Sequence, residues 1–383
     1  MPIWSVTGYL VPAIYLLANL YLYLWTKRWL KPSRSLVTLI FLIFFILALL
    51  FPLGKILGRH EFNSFSYLIS YISSLWMGFT FFSAILALAS DLFMCLIRKI
   101  SRTATPPFVS SIPFRRMAVA VIFVCVMVLG GCAIREARNI RITSLEIPLR
   151  ALPPQMDGLS VVQVSDVHYG MLQENGRLSG IVARINELSP DLVVFTGDLV
   201  DENVSHMEMM GEPLSHLKSR LGVFAVTGNH EYYAGVDRVV GIMRGAGVHV
   251  LRNERVVLPG GLQLMGIDDS LGCYRVGAPQ PDFDKYISLM DPGLPSILLY
   301  HQSSHFQKTA AAHIGLQLSG HTHGSQLLPM RPLSKILFPH LRGLYHQGES
   351  YQYVSRGVGT GGPPMRLGSP PELVYIRLRS IPQ

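Results

Sequence analysis

Five short polar clusters hold the residues of this sequence whose types and spacing could do chemistry: Asp166-x-His168, Gly197-Asp198-x-x-Asp201, Gly228-Asn229-His230-Glu231, His301 and Gly320-His321-x-His323. Aspartate and neutral histidine ligate borderline metals such as zinc, manganese and iron. Asparagine can add a carbonyl oxygen, and the clusters offer no thiolate. Seven side chains of these types, Asp166, His168, Asp198, Asn229, His301, His321 and His323, exceed what one tetrahedral ion needs. They suit two cations about 3.5–4 Å apart that share a carboxylate. Taken singly, each cluster has an ordinary explanation, such as a capped turn for Asn229-His230 or a hydrogen-bonded core histidine for His301. Five of them in order argue for one site.

The elements that must position them are short apolar runs, residues 159–164, 192–195, 223–226, 297–300 and 316–318. Each reads as a buried strand, and each leads directly into one of the five clusters. In α/β sheets, ligand-binding groups collect beyond the carboxyl ends of strands. Gly197, Gly228 and Gly320 permit tight turns and close backbone approach where the polar residues begin. His206, His216, His249, His305, His313, His340 and His346 lack this setting and read as ordinary surface or structural histidines.

As a set, these blocks resemble the calcineurin-like metallophosphoesterase superfamily, over residues from about 158 to the end of the chain. The resemblance implies a C-terminal α/β domain, a two-sheet β-sandwich flanked by helices, that hydrolyses phosphomonoesters, phosphodiesters or pyrophosphates. By motif position it implies that Asp166, His168 and His323 hold one metal and Asn229, His301 and His321 a second. Asp198 would bridge the two, and His230 would be the general acid. The metals would be two divalent or trivalent ions drawn from Mn, Fe and Zn. Ser355-Arg-Gly-Val-Gly359, Pro364-Met-Arg366 and Pro371-Glu372-Leu373 resemble the C-terminal pattern of bacterial members attached to or exported across membranes. Ser325 stands where many of those members have a second glycine, and Gln302-Ser303 follows His301 where an acidic residue and proline are common.

The residue chemistry agrees with hydrolysis. Two cations lower the pKa of bound water and neutralise phosphate oxygens, and an imidazole at His230 suits protonation of a leaving oxygen. Asp201 and Glu231 read as carboxylates that orient loops or histidines around the metals, or as solvated turn residues. Arg366 could grip a substrate phosphate through its planar fork or serve structure. Residues 327–344 are apolar and basic, reading as an active-site loop or as a segment that dips into a membrane surface.

The first third has another character. Four apolar stretches, 3–25, 36–57, 67–97 and 117–134, reach the roughly 20 residues of a membrane span. The expected organisation is an all-α four-span membrane domain at 1–134, a proline-bearing linker at 135–157 and the metallophosphoesterase domain at 158–383. Trp4, Tyr9, Tyr21, Tyr23, Trp25 and Trp29 suit interfacial belts. Lys27, Arg28, Lys31 and Arg34 follow the first stretch, and Arg98, Lys99, Arg102, Arg115 and Arg116 follow the third. Lys55 and Arg59 alone mark the link at the second. The positive-inside rule then puts both ends outside, while Arg135, Arg138 and Arg141 pull the other way. The net charge of +9 belongs largely to these flanks, which suits anionic lipid; no basic stripe with interleaved aromatics points to nucleic acid. Of four cysteines only Cys273 lies in the soluble part, so no disulfide framework is implied.

Three functions fit this sequence. The first is cleavage of a phosphodiester or pyrophosphate in lipid-linked substrates at the membrane surface. The second is phosphatase or phosphodiesterase action on soluble substrates, and the third is a non-catalytic membrane sensor with a structural metal domain. Asp91 is the one carboxylate within the apolar stretches, which argues against transport.

Overall fold

The structure, a computed structural model, describes residues 3–60, 63–100, 111–170, 175–201 and 206–381, without the side chains of residues 3–9, 55–60 and Asn175. Arg102 therefore lies outside the described residues, as do the side chains of Trp4, Tyr9, Lys55, Arg59 and His60. The chain divides into two units, Met1–Arg135 with Gly362–Met365, and Glu136–Gly361 with Arg366–Gln383.

In the first unit the apolar stretches form helices α1 (Ile3–Leu30), α2 (Arg34–His60), α3 (Ser64–Ile100) and α4 (Ile112–Arg138). Among the described residues, three segments are long and apolar enough to cross a bilayer, Arg34–Gly54, Ser64–Ile100 and Ile112–Arg138. The described part of α1 is more polar, and its polar side chains have partners on α3. Asp91 accepts the Tyr21 hydroxyl at 2.9 Å and the Trp29 indole N–H at 3.2 Å, and pairs with Arg28. The Trp76 indole donates to Asn19 Oδ1 at 2.9 Å, and the Trp25 indole to Ser90 Oγ at 3.1 Å. In hydrocarbon such pairing removes the cost of an unsatisfied polar group and ties helices together.

The second unit holds two six-stranded sheets. One has the order β1-β12-β2-β3-β4-β5 and the other β10-β11-β9-β8-β7-β6. Their strands are β1 (Arg141–Leu149), β2 (Ser160–Val164), β3 (Leu192–Thr196), β4 (Val223–Val226), β5 (His249–Val250), β6 (Glu254–Val257), β7 (Gln263–Ile267), β8 (Ser296–Tyr300), β9 (Leu316–Ser319), β10 (Gly343–Gln347), β11 (Ser350–Val354) and β12 (Glu372–Ser380). Alternation along the strands sorts side chains between two faces. Leu192, Val194, Val226, Leu299 and Leu318 fill the space between the sheets. Val193 and Phe195 instead meet Leu178, Ile181 and Ile185 of the helix Asn175–Glu187. On the far side Met265 and Leu298 meet Phe283 and Ile287 of the helix Phe283–Ile287. The result is a sandwich with helices outside both sheets.

All five apolar runs that precede the polar clusters are strands. The expected linker at 135–157 is not one: α4 runs to Arg138, and β1 follows at Arg141, pairing in parallel with β12 from Arg141↔Glu372 to Leu149↔Ser380. The prolines misled the expectation. Pro148 sits inside β1, an edge strand, where its missing N–H need not break a ladder.

Candidate metal centre

β2, β3 and β4 run parallel and in step, with Val164 beside Phe195 and Thr196 beside Val226. Their carboxyl ends therefore release Asp166 and His168, Asp198, and Asn229 and His230 side by side. In the other sheet β8 and β9 are also parallel, and release His301, His321 and His323. The ligating atoms of Asp166, His168 and His323 lie within 4.8 Å of one another, as do those of Asp198, His301 and His321 and those of His168, Asp198 and His230. His168 and Asp198 each belong to two groups, so the three form one continuous set of donors. Asp166, His168, Asp198, Asn229 and His301 are buried, whereas the side chains of His323 and His230 keep 13% and 21% of their exposure. The floor of the site is closed and its rim can meet a solute.

The backbone is bent to do this. Asp166, His168, Asp198, His321 and His323 have φ of 51°, 50°, 53°, 69° and 50°. Side chains rarely adopt this left-handed region, at a cost of order 1–3 kcal/mol each, and such residues cluster at functional sites. Ser325, where many members of the resembled family have glycine, is left-handed too, with φ 72°. Glycines make the close approach possible. A Cβ at Gly197 would lie 2.6 Å from both the Gly228 nitrogen and His301 Nδ1, and one at Gly228 would collide with the Asp198 carboxylate.

Neighbours fix the ring orientations. His301 Nδ1 lies 2.7 Å from the Thr196 carbonyl, to which it can only donate, so Nε2 faces Asp198 Oδ2 at 3.1 Å. His168 Nε2 and His323 Nε2 face each other at 3.0 Å. Without a cation this centre must find positive charge elsewhere. Burial would lower the His301 pKa, but Asp198 and Asp166 raise it well above its ordinary value. Burial would raise Asp198, but His301, His230 and His168 hold it well below the carboxylate range. Burial lifts Asp166 to about 6. Burial, aided by neighbouring histidines, lowers His168 to about 4 and His321 to about 3, and lowers His323 strongly. Neutral histidines, carboxylates and converging nitrogen lone pairs are the donor set of a borderline cation. Asn229 Oδ1, His168 Nδ1 and His321 Nδ1 are buried and accept or donate no hydrogen bond, which buried polar atoms rarely tolerate. These residues fit two metal ions.

Glu231 and Asp201 have separate tasks. The buried Glu231 carboxylate accepts the backbone N–H of Asp198, Leu199, Val200 and Gly228 at 2.6 to 3.2 Å, clamping the turns after β3 and β4 together. Asp201 Oδ1 lies 3.3 Å from His230 Nδ1, and Asp198 Oδ1 accepts the His230 backbone N–H at 2.9 Å.

Arg366 differs from the phosphate grip considered from sequence. It is fully buried, donates to the Gly359 and Ser369 carbonyls, and its Nη2 lies 3.1 Å from His323 Nδ1. Its fork is filled by the chain itself. Gly359 N–H in turn donates to the Asp166 carbonyl at 2.8 Å and Ser369 Oγ to the His323 carbonyl at 2.7 Å. Sequence reasoning missed Ser369 and the Thr196 carbonyl. Backbone carbonyls carry no residue-type signal, and Ser369 lies in a Gly-Ser-Pro turn like many others.

Residues 159–325 match the family model described as calcineurin-like phosphoesterase. The chain is 35% identical over 262 residues to an uncharacterized metallophosphoesterase of Aquifex aeolicus, covering 67% of this chain and 98% of that protein. The chain belongs to the calcineurin-like metallophosphoesterase family. It is 39% identical over 222 residues to an uncharacterized metallophosphoesterase of Helicobacter pylori, covering 57% of this chain and 60% of that one. It is 36% identical over 283 residues to a transmembrane protein with metallophosphoesterase domain from Danio rerio, covering 71% and 64%. The chain thus spans a little under two thirds of those last two metallophosphoesterases. With three helices apolar enough to span and relatives named as transmembrane, this family member is a membrane protein.

Proposed function

We propose that this chain is a membrane-held, metal-dependent phosphoester hydrolase acting on phosphodiesters or pyrophosphates of lipid-linked substrates. The observation that carries this reading is the convergence of carboxylate and histidine atoms from five strand ends, several of them buried without a partner. Asp166, His168 and His323 would hold one cation, Asn229, His301 and His321 a second, with Asp198 shared. Bound there, two divalent cations supply hydroxide at neutral pH and offset phosphate charge.

The chain's own residues do the rest. His230, on the accessible rim, would protonate the departing oxygen, with Asp201 holding Nδ1 so that Nε2 is presented to the substrate. Glu231 keeps the Asp198 turn in place, and Arg366 keeps His323 and the Gly359 loop in place. Four spanning helices, with α1 joined to α3 through Asp91, would put both chain ends on the extracytoplasmic side, since the basic residues concentrate after the first and third helices.

The test uses full-length protein in detergent. Metal content is measured, and hydrolysis of bis(p-nitrophenyl) phosphate with Mn is compared between wild type and Asp198→Asn. About two metals per chain and activity abolished in the variant are expected. A metal-loaded wild type that cleaves no phosphoester would sink the hydrolase reading and favour a sensor.

A further inference from the structure

The helix Arg331–Leu337 hangs from the loop that carries His321 and His323, and it turns apolar side chains to solvent. Ile336 is 77% exposed and Leu337 66%, and Leu333, Met330 and Leu328 are exposed beside them. A soluble domain rarely leaves so many large apolar residues together without a partner. The helix is tied to the candidate centre at two points. Ser334 Oγ lies 2.9 Å from Ser325 Oγ, and the Phe338 ring meets His321 edge-on with centroids 5.6 Å apart. Thr322 Oγ1 also donates to the Leu341 carbonyl at 2.5 Å.

The charges along this segment have one sign, with Glu136 and Glu372 reaching its Arg331 and Arg342 end from other elements. Residues 327–347 include Arg331, Lys335 and Arg342 and no aspartate or glutamate. Arg331 and Arg342 are partly spent on the Gly368 carbonyl, whereas Lys335 is exposed. Apolar side chains flanked by lysine and arginine are the composition of segments that lie in a bilayer interface, with stronger binding to anionic headgroups. Seven residues bind weakly alone, but this segment belongs to a domain tethered to the apolar helices. Only Asn139 and Ile140 separate α4 from β1, and so short a tether makes the second contact effectively intramolecular.

We propose that the helix Arg331–Leu337 docks into the surface of an anionic bilayer and presents the centre to phosphates at headgroup depth. This deepens the hydrolase reading above and rests on it for the substrate. A headgroup phosphodiester beside Phe338 would then reach the His321 and His323 side of the site without leaving the membrane.

The test places a polarity-sensitive fluorophore on Ile336→Cys, in full-length protein whose Cys95, Cys125, Cys132 and Cys273 are replaced by serine. The protein is reconstituted in phosphatidylcholine nanodiscs with or without phosphatidylglycerol, some carrying nitroxide-labelled lipid. Val257→Cys, exposed on β6, is the control, and Leu333→Cys is a second probe in case the first perturbs the helix. Blue-shifted emission and several-fold stronger nitroxide quenching at 336 and 333 than at 257 are expected, increased by phosphatidylglycerol and reduced by Lys335→Glu. Water-like, unquenched emission at both positions would overturn the proposal. So would blue-shifted emission that lipid nitroxides do not quench, because the face would then be covered by protein. Bis(p-nitrophenyl) phosphate hydrolysis by the unlabelled wild type is followed in parallel: its absence with quenching intact would remove the hydrolase reading and leave the docking.

Discussion

The two units differ in where their polar side chains find partners. Among the membrane helices, Asp91 is met by Tyr21, Trp29 and Arg28, Asn19 by Trp76, and Trp25 by Ser90. In the sandwich, Asn229 Oδ1, His168 Nδ1 and His321 Nδ1 are left without a hydrogen bond, and two histidine nitrogens face each other. Paired polar atoms in an apolar setting hold a structure together. Unpaired ones also occur singly elsewhere, Thr80 Oγ1 and Ser219 Oγ among them, but several gathered at one point mark where something else binds. The contrast separates residues that serve architecture from those that serve chemistry.

The sharpest way to break this contrast is at His230. Its replacement by alanine should lower kcat by about 10²–10⁴-fold for an ester with a poor leaving group. The loss should shrink for p-nitrophenyl esters, whose leaving oxygen needs little protonation. Equal losses with both would deny His230 the role of acid. Glu231→Gln comes next. An amide can accept fewer of the four backbone N–H groups and adds a donor among them, so metal affinity should fall by roughly 10–100-fold, read by titration with a chromophoric chelator. Unchanged affinity would make the clamp irrelevant to the metals.

Asp91→Asn probes the other side of the comparison. It should weaken the α1–α3 connection by about 1 kcal/mol, seen as a lower thermal midpoint of the full chain in detergent, with hydrolysis of bis(p-nitrophenyl) phosphate retained. Loss of hydrolysis would mean that the helices take part in the chemistry. The smallest effect is expected at Asp191, which accepts the backbone and hydroxyl of Ser160 at 2.9 Å and pairs with Arg220. Burial alone would raise its pKa, but these hydrogen bonds lower it below 3.8. The unfolded chain therefore takes up this proton at a higher pH than the native one. The stabilisation is complete above the ordinary carboxylate range and is lost as pH falls through the lower native value. Urea midpoints at about pH 5 and about pH 3 should differ less for Asp191→Asn than for wild type; an unchanged difference would exclude this carboxylate.

Much of the site was legible because each polar cluster follows an apolar run, and a buried strand in a parallel sheet is itself an apolar run. That reasoning found β2, β3, β4, β8 and β9 and the residues at their ends. It did not find β1, although Thr143, Leu145, Ile147 and Leu149 alternate with exposed neighbours, because three prolines outweighed a period-two pattern. The reach of Arg366 into His323 was also hidden. An arginine side chain is long enough to serve a phosphate or a backbone carbonyl, and only packing decides between them. Nor could residue types reveal that five candidate ligands are left-handed: aspartate and histidine visit that region more often than most side chains, but rarely enough that only tertiary constraint decides it.

One feature of the architecture reaches beyond the site. Asp166, Asp198 and Asn229 come from one sheet and His301, His321 and His323 from the other, so the centre works like a rivet through two plates. A displacement of one plate against the other is read directly as a change in ligand spacing. Leu192, Val194, Leu299 and Leu318, buried in the apolar core that the sheets share, therefore set the gauge of the centre, and a cavity cut among them would detune it from a distance.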